Sequence, residues 1–355
     1  MADHRPDPRS NLMSNNRPDL RTEWLGLTLK SPLVVAASPI SRDPDMAATF
    51  AAAGAGAIVM HSLFEEQLVE EQMAAYRLID SHTDMNAEAS SFAPVTPGLS
   101  FDGDDYLREL TQLRQRLDIP VVASLNGTTP GGWVRYAQRI ADAGAQALEL
   151  NLYDVATLAI ESGAEVEARQ IELVASVVAS VPIPVNVKLT PFYASIPAFV
   201  RRLAQVGVRG VTVFNRFYEP TIDLDTLEVR RSLTSSTEAE LPLRLHALAV
   251  LSTASELSLA CSGGVHSGED AARAMLCGAH VVQLASSLMA KGPEHLHRVH
   301  IDLQAWLARK GYATSAEARG LLNLDRVPDP GAWTRMNYIR TLEGWRDGPP
   351  GRKPR

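Results

Sequence analysis

LSLACSGGVHSGEDAARAMLCGAHVVQLASSL, residues 257–288, reads as a strand, a Gly-Gly turn, a capped helix, a second strand and a turn of small residues. A (β/α)8 barrel builds a phosphate site at its C-terminal mouth in this order. Gly263 and Gly264 lack side chains that would hold an anion away from the backbone, and Ser286 and Ser287 stand where a helix would begin after the second strand. Backbone N–H groups from both turns can then converge on one phosphate. Ser267-Gly268-Glu269-Asp270 has the form of a capping box. Its Ser hydroxyl accepts from the Asp270 N–H and the Asp carboxylate returns a bond, which sets the helix start after Val265.

Outward from this stretch, apolar runs alternate with helical patterns. The predicted strands are Leu33 to Ala37, Ala57 to Met60, Val121 to Leu125, Ala147 to Leu150, Val185 to Leu189, Gly210 to Phe214, Leu257 to Ala260 and Val281 to Leu284. Their Val, Leu and Ala content suits parallel strands buried on both faces, and the spacers are long enough for crossover helices. Eight such units favour a closed barrel over an open doubly wound sheet of roughly five to seven strands. Gly54, Gly144 and Gly207, each in an Ala-Gly-Ala or Val-Gly-Val triplet, mark helix ends before the next strand. The expected architecture is therefore α/β: a (β/α)8 TIM barrel with a long insertion between its second and third strands and a helical C-terminal extension. The expected divisions are a disordered tail over 1–22, the barrel over 23–300 with an insert over about 61–119, a helical extension over 301–345 and a second disordered tail over 346–355. The insert carries a predicted helix from Phe64 to Ser81 and a Pro/Gly/Ser-rich stretch from Ser90 to Gly103, a length common among lids. Trp306, Trp333 and Trp345 are the expected packing anchors of the extension.

The chain has 355 residues, of which 45% are hydrophobic, enough to fill one large core. A net charge of -7 without any cluster of Lys and Arg argues against nucleic acid as a partner. The first twenty residues contain no apolar run and so resemble neither a signal peptide nor a membrane anchor; a soluble, cytoplasmic protein is expected. Cys261 and Cys277, the only two cysteines, are too few for a disulfide framework or an iron-sulfur cluster and read as buried and inert. No metal site is expected.

Near the C-terminal ends of the strands, residues two apart face the barrel interior together. Three predicted strands place polar pairs there: Ser124 with Asn126, Glu149 with Asn151, and Asn186 with Lys188. A purely structural interior would hold branched apolar residues, so these groups need partners, and a bound polar ligand can supply them. Lys188 is one of five lysines and the only one within a predicted barrel strand. It fits either an ion pair with Glu149 or a charge facing an electron-rich ring, where it would stabilise negative charge developing on a reduced flavin. The residues alone also leave open a phosphate-binding isomerase or lyase without flavin, with Lys188 forming a Schiff base or steadying an enolate.

SPLVVAAS (31–38), the strand end with His61 and Ser62, LELN (148–151), PVNVKL (184–189), VFN (213–215), SGGV (262–265) and LCGAHVVQLASSL (276–288) occur in the order and spacing of class 1 dihydroorotate dehydrogenases, and the chain resembles that family. SLFEEQ (62–67), ARKGYATSAEARG (308–320) and TRMNY (334–338) are similar to its dihydroorotate dehydrogenase-like subgroup, so the resemblance runs from about Trp24 to Trp345. It implies FMN at the barrel mouth, with the phosphate on Gly263, Gly264, Ser286 and Ser287 and with Lys188 facing the isoalloxazine. Asn126 and Asn151 would bond the ring system or the substrate. Ser38, His61 and Ser62 would border the flavin, and Asn215 would lie with Asn151 beside the substrate. The implied reaction is oxidation of dihydroorotate, or of a related cyclic amide, within pyrimidine biosynthesis: a proton leaves C5 while a hydride passes from C6 to the flavin. A homodimer is implied too. There is no Gly-x-Gly-x-x-Gly motif and only two cysteines, so any iron-sulfur relay would come from another chain; the onward acceptor stays open, a separate electron-acceptor protein being one candidate.

The chain departs from the family on the substrate side. Asp154 stands where the family has a Cys or Ser base three residues after the Asn, Ala156 replaces a second substrate-binding Asn, and His61 replaces a Lys. For the family's Asn-rich substrate loop the insert offers Asn86. Asp154 is the candidate base. The departures leave a second reading in place, a non-catalytic or partner-dependent flavin-binding barrel.

Overall fold

The computed structural model describes residues 17–65, 102–126, 130–153, 159–216, 220–230, 234–334 and 338. A short antiparallel hairpin, β1 (Thr22–Trp24) and β2 (Leu27–Leu29), leads into β3 (Leu33–Val35), β4 (Ala57–Phe64), β5 (Val121–Asn126), β6 (Ala147–Asn151), β7 (Val185–Leu189) and β8 (Gly210–Val213). A second hairpin, β9 (Thr221–Asp223) and β10 (Glu228–Arg230), precedes β11 (Ser258–Ser262) and β12 (Val281–Leu284). Strands β3 to β8, β11 and β12 pair in parallel and close into an eight-stranded barrel, sealed where β12 meets β3. Each predicted strand corresponds to one of these eight, with ends shifted by a few residues.

The helices wrap the outside: α1 (Pro44–Ala52), α2 (Asp102–Arg116), α3 (Pro130–Asp142), α4 (Gly163–Ser180), α5 (Ile196–Gln205), α6 (Leu241–Ala254), α7 (Gly268–Leu276), the short α8 (Ser286–Lys291), α9 (Pro293–Lys310) and α10 (Ser315–Ala318). Local chemistry sets their ends. Asp43 caps α1 through the N–H groups of Asp45 and Met46, and Ser162 with Glu165 forms a capping box on α4. At α7 Ser267 accepts from the Asp270 N–H as expected, while the Asp270 carboxylate takes the Ser267 hydroxyl and the His266 N–H. Gly54, Gly144 and Gly207 follow their helices at φ of 111°, 91° and 93°, where a side chain would be strained.

The barrel interior changes character along its axis. At the N-terminal end Val34, Ala57, Val59, Val122, Ala147, Ala260 and Val281 form a dry layer, and the β1–β2 hairpin closes it from below with Trp24, Leu25 and Leu29. The Leu25 N–H bonds Ser258 Oγ at 3.1 Å, which ties this plug to β11. Toward the C-terminal ends the inward positions turn polar, and the site lies there.

Several expected boundaries shift. The segment 17–22, assigned to a loose tail, is held: the Asp19 N–H bonds Ala313 O at 2.8 Å, Ser315 Oγ bonds Arg21 O at 2.9 Å, and Leu20 is buried. Only residues C-terminal to the barrel could supply these partners, so the segment itself shows no sign of them. The expected insert is too wide at both ends, because β4 runs on to Phe64 and Asp102–Arg116 belongs to the barrel's helical layer. Residues 66–101, which carry most of the predicted Phe64 to Ser81 helix, the stretch ending at Gly103 up to residue 101, and Asn86, lie outside the described residues, as do 1–16 and 339–355. The division at 300 falls within α9, one continuous helix packed on α7. Trp306 and Trp333 do pack against the core but stay partly exposed; Trp24 and Trp133 are the fully buried tryptophans, and Trp345 lies outside the described residues.

Because the Trp24 side chain is fully buried at the floor of the barrel, Trp24→Ala is expected to cost about 3–5 kcal/mol of unfolding free energy in urea titrations. A cost under about 1 kcal/mol would show that the hairpin is not the plug described.

Candidate functional site

The polar half of the interior has two tiers. In the lower one Lys188 Nζ lies 3.2 Å from Glu149 Oε1 and 3.3 Å from Gln283 Oε1. Glu149 Oε2 accepts from Gln283 Nε2 at 2.7 Å, Asn186 Nδ2 at 3.0 Å and Thr212 Oγ1 at 3.2 Å. Lys188 is 5% exposed and Glu149 fully buried, so each charge depends on the other. Sequence reasoning anticipated Glu149, Asn186 and Lys188 but missed Thr212 and Gln283, the polar residues of the short runs GVTV and VVQL. The signal was present: each interrupts an otherwise apolar strand at an inward position.

The upper tier lies at the strand ends. Asn151 Nδ2 donates to Ser124 Oγ at 2.9 Å and to Leu125 O at 3.3 Å, Ser62 and Ser124 share a 2.8 Å hydroxyl contact, and Asn215 Nδ2 reaches Asn151 Oδ1 at 3.4 Å. Ser62, Asn151 and Asn215 are thus brought together: Ser124 bonds both Ser62 and Asn151, and Asn151 in turn accepts from Asn215. Behind it, the Tyr106 hydroxyl both accepts from the Ser124 N–H at 2.8 Å and donates to Ser124 O at 3.2 Å, while burial pushes its ionisation up. Asn126 ends β5, half-buried, in register with Phe64.

His61 does not join this group. Between Val59 and Ser62 the pairing of β4 with β5 slips by one residue, a bulge that keeps Ser62 opposite Ser124 and turns His61 to the helix side of the sheet. There its N–H bonds Ser41 Oγ at 2.7 Å, its ring packs edge-on to Tyr106 with centroids 5.1 Å apart, and Nδ1 lies 3.6 Å from Glu109. The expected place beside a flavin is corrected accordingly: a bulge cannot be read from AIVMHSLF, and strict alternation from Val59 puts His61, not Ser62, inside.

The candidate phosphate cradle is assembled from three segments. Gly263 and Gly264 turn at φ of 88° and 80°, and Ser287 Oγ reaches across to Val265 O at 3.4 Å, joining the turn after β11 to the start of α8. Ser236 adds its N–H and hydroxyl to Ser286 Oγ, both at 3.1 Å. The N-terminus of α6 lies against the same turn: a Cβ on Gly264 would come within 2.6 Å of Leu241 N, so only glycine admits this approach. Among the described residues, the backbone N–H groups of Gly263, Gly264, Ser286 and Ser287 have no protein acceptor. Arg244 steadies the arrangement, with Nε on Ser262 O and Nη1 on Glu240 O, each at 2.9 Å. Leu241 and Arg244 escaped sequence reasoning because ELPLRL reads as an ordinary helix start.

Two further observations point to a ligand. Ser38 Oγ, at the end of the chain leaving β3, is buried and has no hydrogen-bond partner among the described residues. Lys188 has three N–H donors and protein acceptors for two. Unfilled donors at one end and an orphaned hydroxyl at the mouth suit a molecule with a phosphate and a polar ring system, and FMN fits both. Asp154 and Ala156 lie outside the described residues. Burial pushes the Cys261 and Cys277 thiols up to about 12, so both are inert as expected.

The family model described as dihydroorotate dehydrogenase matches residues 19–307. Among curated proteins, the chain is 29% identical over 303 residues to dihydroorotate dehydrogenase B (NAD(+)), catalytic subunit, of Methanosarcina acetivorans, a match covering 83% of this chain and 94% of that protein. The protein of the same name in Anoxybacillus flavithermus is 27% identical over 309 residues, covering 85% of this chain and 95% of the relative. Dihydroorotate dehydrogenase A (fumarate) of Limosilactobacillus reuteri is 27% identical over 286 residues, covering 76% and 87%.

Burial, with Arg42 nearby, holds the His61 imidazole down at about 4. Below the free value of 6.5 the unfolded chain binds a proton that folded His61 refuses, so its contribution is intact above pH 6.5 and is lost as pH falls toward 4. His61→Gln should therefore lose less stability than the wild type between pH 7 and pH 5 in urea titrations. Equal losses would contradict the buried, neutral placement.

Proposed function

Because the chain belongs to the dihydroorotate dehydrogenase family, we propose that it is an FMN-dependent oxidoreductase acting on the CH–CH bond of dihydroorotate or a related cyclic amide. The observation that carries this reading is the pairing of a glycine cradle, its four N–H groups unfilled, with a buried lysine that keeps one donor in reserve. Gly263, Gly264, Ser286 and Ser287 would hold the phosphate, joined by the N-terminus of α6. Ser38, Ser62, Asn126, Asn151 and Lys188 would line the ring, and Asn151 with Asn215 would orient the substrate. FMN, when bound, supplies the two-electron acceptor.

The remaining work belongs to the protein's own groups. Lys188, nearly buried and 3.2 Å from Glu149, would present its ammonium where it favours the build-up of negative charge on the ring it faces. Asn151 is fixed by Ser124 and Leu125, so its amide cannot turn away and its Oδ1 stays directed to Asn215. Asp154, three residues after Asn151, would take the proton from the carbon next to the one that gives up its hydride. A carboxylate there in place of a Cys or Ser is the main departure from the family and bears on the substrate, not on the cofactor.

We read the onward acceptor as a separate protein. This chain holds two buried cysteines and no dinucleotide fingerprint, and two of the relatives above are named as catalytic subunits. A homodimer belongs to the same reading. The β9–β10 hairpin supports a partner surface: Ile222 and Val229 pair on one face and are 63% and 67% exposed, while Asp223 and Arg230 form an ion pair on the other. No helix among the described residues is long and apolar enough to cross a membrane.

The test is to purify the protein, identify any released cofactor, and mix it anaerobically with dihydroorotate while following flavin absorbance. Bleaching is expected, slowed about a hundredfold or more by Lys188→Met and by Asp154→Asn. FMN without bleaching would refute the substrate, and a colourless protein that takes up no FMN would refute the cofactor.

A further inference from the structure

The lower tier contains more than Lys188 and its counter-charge. The Glu149 carboxylate receives four hydrogen bonds, one from Lys188 on Oε1 and three on Oε2 from Asn186, Thr212 and Gln283. These partners come from β7, β8 and β12, so one side chain of β6 joins strands from across the barrel. Gln283 acts twice: its Nε2 donates to Glu149 and its Oε1 accepts from Lys188. The amide is thereby locked in one orientation, and the ammonium sits between two fixed acceptors. Beneath lies the dry layer of Val and Ala residues, which offers the lysine no alternative partner.

We propose that Glu149 is the positioning residue for Lys188: its buried carboxylate, clamped by Asn186, Thr212 and Gln283, holds the lysine charged and in place, and so fixes where its one unused N–H is offered to the ligand. This rests on the reading of the site above only in naming that ligand as a flavin. A buried ammonium stripped of its counter-charge would shed its proton sooner, because desolvation disfavours the charged form. A Gln in place of Glu149 would also present an NH2 group to a cluster of four donors, so at least one of them would lose its acceptor.

Glu149 is the only ionisable group among the described residues that bonds Lys188. The neighbouring strands β5, β8, β11 and β12 turn Ser124, Thr212, Ser262 and Gln283 to this part of the interior. Tyr106, behind β5, feels the charge of Glu149, but burial pushes its hydroxyl up beyond the working pH range.

The chain's five lysines, Lys30, Lys188, Lys291, Lys310 and Lys353, make the proposal directly measurable. Protein labelled with carbon-13 at the lysine ε position gives five signals, and Lys188→Met identifies one of them. In Glu149→Gln the Lys188 signal is expected to titrate about two pH units lower than in the wild type. An unchanged midpoint overturns the proposal, since a merely structural glutamate would lower the melting temperature and leave that signal alone. If Glu149→Gln does not fold, Glu149→Asp keeps the charge but withdraws it by one methylene; its Lys188 signal must also move to lower pH, and one that does not move overturns the proposal.

FMN affinity, followed by flavin fluorescence, gives a second readout. Glu149→Gln should bind FMN about tenfold more weakly at pH 9 than at pH 6, relative to the wild type, and Glu149→Gln combined with Lys188→Met should lose that pH dependence. Persistence of the dependence in the double variant assigns it to another group and overturns the proposal. Should the wild type bind no FMN, the flavin reading fails while the lysine signal still decides the role of Glu149.

Discussion

A charged amine inside a closed barrel needs a carboxylate in the same space, itself held by further donors, and the contact between Lys188 and Glu149 meets that demand. Much of the barrel follows from it. The pair needs a dry floor, which the Val and Ala layer and the β1–β2 plug provide. It needs three further donors on the carboxylate, so three other positions that a structural barrel would fill with branched aliphatics hold Asn186, Thr212 and Gln283. It needs strands in fixed register, since a slip of one residue on β7 would send Lys188 to the helix side.

The proposed anion site would act through backbone N–H groups, with the nearby side-chain charges engaged elsewhere. Gly264 lets the turn after β11 approach the backbone at the start of α6 more closely than any other residue would allow, and the amides left over suit one kind of ligand group. The nearby charges are largely spent on each other: Glu240 is paired with both Arg216 and Arg244, and Arg244 also holds two carbonyls. The cradle thus presents backbone N–H groups, with Arg244 spent on Glu240 and two carbonyls, while Lys188 lies in the lower tier between Glu149 and Gln283. A ligand bearing a phosphate at one end and an electron-accepting ring at the other matches that division.

The fold was legible because each of its eight strands is a short, nearly uninterrupted apolar run, and because glycines in Ala-Gly-Ala or Val-Gly-Val triplets end three of the helices. The Gly-Gly and Ser-Ser turns stood out because each directly follows an apolar strand, although a Gly-Gly turn alone is common; their contact through Ser287 and Val265 is a tertiary fact. Three things were not legible. The bulge in β4 leaves no mark in AIVMHSLF, so His61 and Ser62 exchange the sides that simple alternation gives them. The approach of Leu241 and the clamp of Arg244 are tertiary events on a helix start of ordinary composition. The hold on residues 17–22 depends on partners almost 300 positions away, at Ala313 and Ser315. Thr212 and Gln283 lie between these cases: each was visible as a polar interruption of an apolar strand, but only closure of the barrel shows that both serve one carboxylate.

The central claim is that the cradle grips a phosphate on a flavin, and the affinity of cofactor-free protein for FMN against riboflavin, measured side by side by fluorescence quenching at fixed salt, tests it most directly. The two ligands share a ring and differ only in the phosphate, for which four backbone N–H groups stand unfilled. FMN should bind at least about a hundredfold more tightly, since charge-assisted bonds contribute roughly 1.5–3 kcal/mol each before the cost of desolvating the phosphate. Equal affinities, or no binding of either ligand, would contradict it.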